Sequence, residues 1–202
     1  MTGKNIIIEV EEYIKSLYDK NSSDLLCYHN LEHATEVVEV ISELCNALNI
    51  SEIERENLII AGWFHDVGYF EICSGHEDLS AEYADRYLSG QNFPGDRIKR
   101  IKANILATKV PTNPANIYEK IICDADLHHL GKSDIEKRSQ LFRQELANRN
   151  ICNISDFEWL ENSLKFLNEH SFYTDYANEK FGAQKKKNIK LFEEKLKKND
   201  AD

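Results

Sequence analysis

Proline and glycine are scarce in this sequence, which has three and eight of them among 202 residues. Proline breaks helices and glycine weakens them, so this scarcity favours an all-helical chain. No apolar run approaches the roughly 20 residues that span a bilayer, and we expect no membrane-spanning helix. The opening residues, MTGKNIIIEVEE, are too acidic and too short in apolar residues to predict a signal peptide.

The sequence also lacks an excess of positive charge and closely spaced pairs of cysteines. The chain has 25 Lys and Arg against 35 Asp and Glu, a formal net charge of -10, which argues against general nucleic-acid binding. The five cysteines are widely spaced and contain no CxxC pair, unlike a disulfide scaffold or a zinc ribbon. We therefore expect reduced thiols and a cytoplasmic protein. No linker or repeat divides the chain, so we expect one domain over residues 1–202.

Apolar residues recur at helical spacing almost throughout the chain. After Asn30, a favourable N-cap, apolar positions from Leu31 to Leu48 recur every three or four residues. Serines at 51, 133 and 155 each precede a Glu by three residues, which is capping-box spacing and predicts three helix starts. Further helices are predicted near residues 4–20, 76–90, 95–107, 115–130 and after Gly182. Gly131 is expected to end one of them in the left-handed conformation.

These elements predict an all-α fold, a single helical bundle. One of its helices, Leu58–Phe64, is apolar on every side and should lie in the core. It runs directly into His65 and Asp66, and buried groups of this kind are costly unless they are paired or bind a metal. A core histidine that donates to the neighbouring carboxylate or to a backbone carbonyl is the simpler interpretation of this pair taken alone.

The pair has companions in two other segments. His33 lies in the first turn of the helix that follows Asn30, and acids and imidazoles interrupt an apolar stretch in CDADLHHLG. A mixed set of imidazoles and carboxylates suits divalent metals such as Mn, Fe, Ni, Co, Mg or Zn, with positions left open for water and substrate.

Four segments together resemble the HD-domain superfamily, and within it a predicted group of metal-dependent phosphohydrolases. The segments are YHNLEHATEVV, FHDVGYF, HEDLSAEYA and DADLHHLG, and they extend from residue 28 to residue 131. The resemblance implies an HD-type helical bundle whose motifs lie in residues 25–131, with the helices of 133–200 packed on that part. It also implies that His33, His65, Asp66 and one later Asp bind the metal.

The later ligand is either Asp124 or Asp126. These residues lie about 200° apart around a helix, so only one of them can easily face the site. The related motifs favour Asp126, which directly precedes a leucine-containing polar stretch. They leave Asp124 either as an acceptor that orients a ligand or as an acid on the side of the helix.

The resemblance also suggests catalytic and substrate-binding residues. Asp66, Glu77, His29 and His76 are the predicted catalytic set, with Glu77 acting near the phosphate or on the nucleophilic water. A carboxylate in the first turn of a helix also suits the helix dipole, so a structural role for Glu77 stays open.

Three side chains are predicted to bind the phosphate of the substrate: His29, Lys109 and Arg143. A surface histidine, a lysine at a helix C-terminus and a surface ion pair of Arg143 with Glu145 or Glu136 are the respective alternatives.

The function implied is metal-dependent hydrolysis of a phosphomonoester or phosphodiester, with a nucleotide or related small molecule as the expected substrate. Two alternatives stay open: a di-iron oxygenase on the same fold, which would recruit His76, His128 or His129, and a nucleotide-sensing module without turnover. We expect neither a membrane partner nor general nucleic-acid binding, and a homodimer is left open.

Overall fold

The computed structural model describes residues 6–21 and 25–199, and every regular element within them is a helix. The described residues form two compact units, one of residues 6–21 and 29–126 and one of residues 25–28 and 127–199. This all-α architecture is the fold class that the sequence predicts. The single domain over 1–202, with the later helices packed on the motif-bearing part, stays a prediction. Residues 1–5, 22–24 and 200–202 lie outside the described part.

The first unit consists of six α-helices and one short 3-10 helix. The α-helices are α1 (Ile6–Asn21), α2 (Leu31–Ala47), α3 (Glu52–Phe64), α4 (His76–Gly90), α5 (Gly95–Ala107) and α6 (Ile117–Asp126). The 3-10 helix, Val67–Phe70, connects α3 to α4.

Helix α3 is the centre of the first unit and contacts α1, α2, α4, α5 and α6. Its last eight residues are all buried, as the absence of charge over Leu58–Phe64 predicts. Each fully buried Leu, Ile or Phe contributes about 1.5–3 kcal/mol to folding. The central helix therefore fixes the position at which the chain leaves it, at His65 and Asp66.

The second unit consists of α7 (Ile135–Asn148), α8 (Asp156–Glu169), α9 (Asp175–Asn199) and a 3-10 helix, Leu127–Gly131. Its apolar core joins the 3-10 helix to α7, α8 and α9 through five buried side chains: Leu127, Leu130, Ile135, Leu167 and Phe192. The Asn188 side chain on α9 donates to the carbonyls of Leu130 and Lys132, at 2.8 Å each.

Three local predictions of helix starts are confirmed. Asn30 caps α2 by accepting a hydrogen bond from the backbone N–H of His33 at 3.0 Å. Ser51 caps α3 in the same way through the N–H of Glu54. Ser155 and Glu158 form a complete, reciprocal capping box at the start of α8.

A helix does begin near Ser133, as the spacing predicts, but the predicted cap at Ser133 and the predicted left-handed conformation of Gly131 are wrong. Ser133 lies in a turn, and α7 begins at Ile135, after Asp134, whose carboxylate pairs with Arg138 instead of capping the helix. Gly131 does not adopt the left-handed conformation. A Cβ atom there would lie 2.5 Å from Cβ of Phe181, so close packing is the reason for glycine.

The final helix begins earlier than the sequence predicts, because α9 starts at Asp175 and passes through Gly182. A helical glycine costs about 1 kcal/mol. Buried Ala177 and Phe181 before it, with buried Phe192 after it, hold both sides of the glycine in one helix.

Within residues 6–21 and 25–199, none of the helices has the length and apolarity that crossing a bilayer requires.

Candidate metal centre

Four side chains of the first unit bring their ligand atoms together. They are His33, His65, Asp66 and Asp126, and one atom of each lies within 4.8 Å of all the others. They lie in or directly after three helices: His33 is in the first turn of α2, His65 and Asp66 directly follow α3, and α6 ends at Asp126. These are the four residues that the sequence resemblance assigns to a metal. Asp124, its alternative, is fully buried on α6 and is not part of this group.

The orientation of His65 follows from its contact with the helix that it ends. Its Nδ1 lies 2.8 Å from the carbonyl oxygen of Gly62. Since a carbonyl only accepts, Nδ1 carries the proton and donates it. The other ring nitrogen, Nε2, is thereby directed at the cluster, as expected of a histidine that binds a metal.

The distances within the cluster are short and its atoms are buried. Nε2 of His65 lies 3.0 Å from Oδ2 of Asp66 and 3.5 Å from Oδ1 of Asp126. Nε2 of His33 lies 3.4 Å and 3.3 Å from the same two oxygens. The Asp126 side chain is 17% exposed, whereas the other three are at most 5% exposed, so the cluster opens towards solvent at Asp126.

The charges in the cluster perturb its pKa values strongly. Burial acts to lower the pKa of His65, but the carboxylates of Asp66 and Asp126 outweigh it and raise that pKa well above its ordinary value. The pKa of His33 is raised for the same reason, again against burial. Burial acts to raise the pKa of Asp66, but His65 and His29 hold it well below its usual range. The opposite directions of the pKa shifts of His65 and Asp66 indicate that positive charge is favourable beside these carboxylates.

This donor set fits a divalent cation. Two imidazole nitrogens and two carboxylate oxygens form a mixed N/O set of the kind that binds transition metals and zinc. Oδ2 of Asp66 is buried and makes no hydrogen bond, although two imidazoles approach it. A buried, charged oxygen without a hydrogen bond is costly, and a cation at the centre of the four atoms would satisfy it.

Two further residues of the predicted catalytic set, His76 and Glu77, begin α4, and His76 contacts Asp66. Nε2 of His76 is 3.3 Å from Oδ1 of Asp66 and 3.7 Å from Oε1 of Glu77. Glu77 is only 7% exposed, in the first turn of the helix. Burial acts to lower the pKa of His76, but its contact with Asp66 raises it.

His29 also lies near the cluster. Its ring stacks on Tyr69 with centroids 3.7 Å apart, and it meets the ring of His33 edge-on at 6.1 Å. Tyr69 in turn contacts His76 edge-on at 4.6 Å. The rings of His29 and His76 are themselves 6.2 Å apart, so both histidines pack on Tyr69 and lie near each other.

Lys109 and Arg143, the two cationic side chains predicted to bind phosphate, each form an ion pair with an aspartate. Nζ of Lys109 donates to Oδ2 of Asp78 at 2.6 Å, and both side chains are about half exposed. Arg143, in the second unit, donates to Asp156 and to the carbonyl of Ile154, at 2.7 Å each. Its carboxylate partner is thus neither of the two glutamates that the sequence suggests. Phosphate binding by Lys109 and Arg143 stays a prediction.

Two of the three histidines that the sequence offers to a second metal, His128 and His129, lie in the second unit. His128 is fully buried beside Phe181, and Nδ1 of His129 lies 3.0 Å from the Tyr28 hydroxyl. Sequence reasoning missed two contacts of the first unit, namely the packing of His29 and His76 on Tyr69 and the pair of Asp78 with Lys109. No signal in the sequence indicates which side chains pack across a turn.

The described residues thus combine an all-helical architecture with a His/Asp cluster that could hold a metal ion. The model of the HD domain family matches residues 30–153, more than half of the chain, so the protein belongs to the HD domain family. Comparison with curated proteins and with solved structures gives no significant match.

Proposed function

We propose that this protein is a metal-dependent phosphohydrolase that cleaves a phosphoester of a nucleotide or related small molecule. The observation that carries the proposal is the convergence of two imidazole nitrogens and two carboxylate oxygens at one buried point. Membership of the HD domain family supports the hydrolase class. His33, His65, Asp66 and Asp126 would hold the ion.

The chemistry divides between the ion and the residues around it. A divalent cation lowers the pKa of a water molecule and polarises a phosphoryl oxygen. Glu77, buried beside His76, would accept the proton that the attacking water loses. His29 would donate a hydrogen bond to a phosphate oxygen, and its stacking on Tyr69 would hold the ring in place for that contact.

The two predicted phosphate-binding cations would each have to exchange a present partner for the phosphate. Lys109 would exchange its partner Asp78 for a phosphate oxygen, because a half-exposed ion pair is worth little in water. We also retain Arg143 as a predicted phosphate ligand, which would have to give up its contact with Asp156.

A panel of phosphoesters assayed with the purified protein tests this proposal. It should contain nucleoside monophosphates, cyclic nucleotides, dinucleotides and simple aryl phosphates, each with and without added Mn²⁺, Co²⁺, Ni²⁺ and Zn²⁺. We expect hydrolysis of at least one member by the wild type and none by the double variant His65→Ala/Asp66→Ala. Asp96→Asn, which removes an exposed carboxylate on α5, is the control and should retain activity.

Retention of both metal and activity by the double variant would contradict the site assignment. Inactivity of the wild type towards every ester, with iron bound and O₂ consumed, would favour the oxygenase instead. Tight nucleotide binding without turnover would favour the sensing module.

A further inference from the structure

The outer face of α9, in the second unit, carries a stripe of charged and small side chains. The inner face is buried through Ala177, Phe181 and Phe192. At 100° per residue, the members of the outer stripe fall within about 100° of the helix circumference, opposite that buried face. They are Asp175, Glu179, Gly182, Ala183, Lys186 and Lys190.

The charges of this stripe are sorted by sign along the helix. The acids Asp175 and Glu179 lie in the first two turns, whereas Lys186 and Lys190 lie in the middle of the 25-residue helix. The helix dipole favours acids in the first turn, but it does not stabilise lysines so far from the C-terminus. The position of the lysines therefore needs another explanation.

Like charges are neighbours within the stripe. Asp175 and Glu179 are four residues apart, as are Lys186 and Lys190, and like charges at this spacing repel each other. All four side chains are exposed, and none of them forms an ion pair with another residue of 6–21 or 25–199. Opposite charges on a partner molecule would relieve both repulsions.

A hollow separates the acids from the lysines. It has a volume of about 540 Å³, and the described residues that line it belong to α9. Gly182 and Ala183 lie at its middle, and a Cβ atom added to Gly182 would meet no atom within 4 Å. Because the distance between packed helices depends on the side chains at their contact, two small residues here allow another helix to approach closely.

We propose that this stripe is a self-association surface, on which α9 of a second copy of the chain packs antiparallel. A two-fold axis passes between Gly182 and Ala183, so each residue meets the one equally far on the other side of that midpoint. Lys186 of one copy then faces Glu179 of the other, and Lys190 faces Asp175. The axis repeats both contacts, which gives four ion pairs around a closely packed centre.

The order of the charges selects a second copy over a general polyanion. A polyanion that binds Lys186 and Lys190 is repelled by the two acids of the same stripe. A second α9 in the antiparallel direction presents both signs in the matching order. Such an interface is isologous, as in most homodimers. The inference is independent of the metal site.

Sedimentation equilibrium of the full chain, over a range of concentrations, tests the interface with three variants. The acidic variant, Lys186→Glu/Lys190→Glu, makes every charge of the stripe negative. The basic variant, Asp175→Lys/Glu179→Lys, makes every charge positive. The swapped variant contains all four substitutions and reverses the order of the charges.

Lys99→Glu/Lys137→Glu is the matched control for the acidic variant. It changes the net charge of the protein by the same amount, at exposed positions on α5 and α7. Circular dichroism and thermal unfolding establish that each variant is folded.

We expect the wild type and the control to form dimers of equal affinity. The dissociation constants of the acidic and basic variants should be about 10–100-fold higher, because four attractive pairs of exposed charges become repulsive. The swapped variant should dimerise like the wild type, since the reversed order is equally complementary. An equimolar mixture of the acidic and basic variants should form a heterodimer.

Four results would overturn the inference. The first is a wild type that stays monomeric at every concentration. The second is wild-type affinity in both the acidic and the basic variant. The third is a loss of affinity in only one of these two variants, because its charges would then contact a different surface of the partner. The fourth is a swapped variant that stays as weak as the acidic and basic variants.

Discussion

Replacing Gly68 by alanine probes the junction on which the geometry of the site depends. The new Cβ would lie 2.2 Å from the carbonyl oxygen of His76 and 2.9 Å from the backbone nitrogen of Ser80. Ordinary contact begins at 3.4 Å, and backbone atoms cannot rotate away, so α4 or the 3-10 helix must move by about 1 Å. Overpacking of this kind typically costs about 1–3 kcal/mol.

Gly90→Ala is the matched control for this substitution. Gly90 ends the same helix, and no atom lies within 4 Å of the position of its Cβ. Both substitutions reduce the entropy of the unfolded chain, which favours folding by about 0.4–1 kcal/mol. The difference between the two variants therefore reports the contact at Gly68 alone.

Urea unfolding of both variants, in the presence of a chelator, measures that difference. We expect unchanged m-values and a free energy of unfolding about 1–3 kcal/mol lower for Gly68→Ala than for Gly90→Ala. If Gly68→Ala is as stable as Gly90→Ala, the turn and the helix are not in contact as described.

Ser155→Ala should remove the capping box of α8 and lower the free energy of unfolding by about 0.5–2 kcal/mol, measured by thermal denaturation; no change would contradict the cap. Burial raises the pKa of the Cys45 thiol to about 11, so alkylation at pH 8, followed by mass spectrometry, should modify this residue in the unfolded but not the native protein. Asp126→Asn should greatly reduce metal content, whereas Asp124→Asn should still bind one ion; the reverse pattern, by elemental analysis, would assign the ligand to Asp124.

Local sequence signals predict the beginnings of helices well, because a cap depends on residues within a single turn. The side chains of Asn30, Ser51 and Ser155 each accept from a backbone N–H three residues later. The buried position of α3 is likewise predictable, since a run without charge over Leu58–Phe64 leaves no face for solvent.

The structural roles of Gly131 and Gly182 could not be predicted from the local sequence, because they depend on packing with residues elsewhere in the chain. Gly131 makes room for Phe181, which is 50 residues later in the chain. Gly182 would end an isolated helix, but buried side chains on both sides carry α9 through it. Ser133 has the spacing of a cap and still lies in a turn, because α7 begins two residues later.

The candidate site shows the same division between local and distant causes. The resemblance to the HD superfamily implies His33, His65 and Asp66 as ligands, and the geometry of a helix lets only one of the two later acids join them easily. The contact of His76 with Asp66 is set by the packing of α4 on the turn Val67–Phe70, so no pattern in the sequence predicts it.

The most direct test of the account is the position of a bound metal in a crystal. We expect crystals grown with Mn²⁺ or Zn²⁺ to show an anomalous difference peak about 2.0–2.2 Å from Nε2 of His33, Nε2 of His65 and one carboxylate oxygen each of Asp66 and Asp126. The peak should disappear in Asp66→Asn crystals grown under the same conditions. A metal bound elsewhere, with these four side chains free of it, would contradict the central claim.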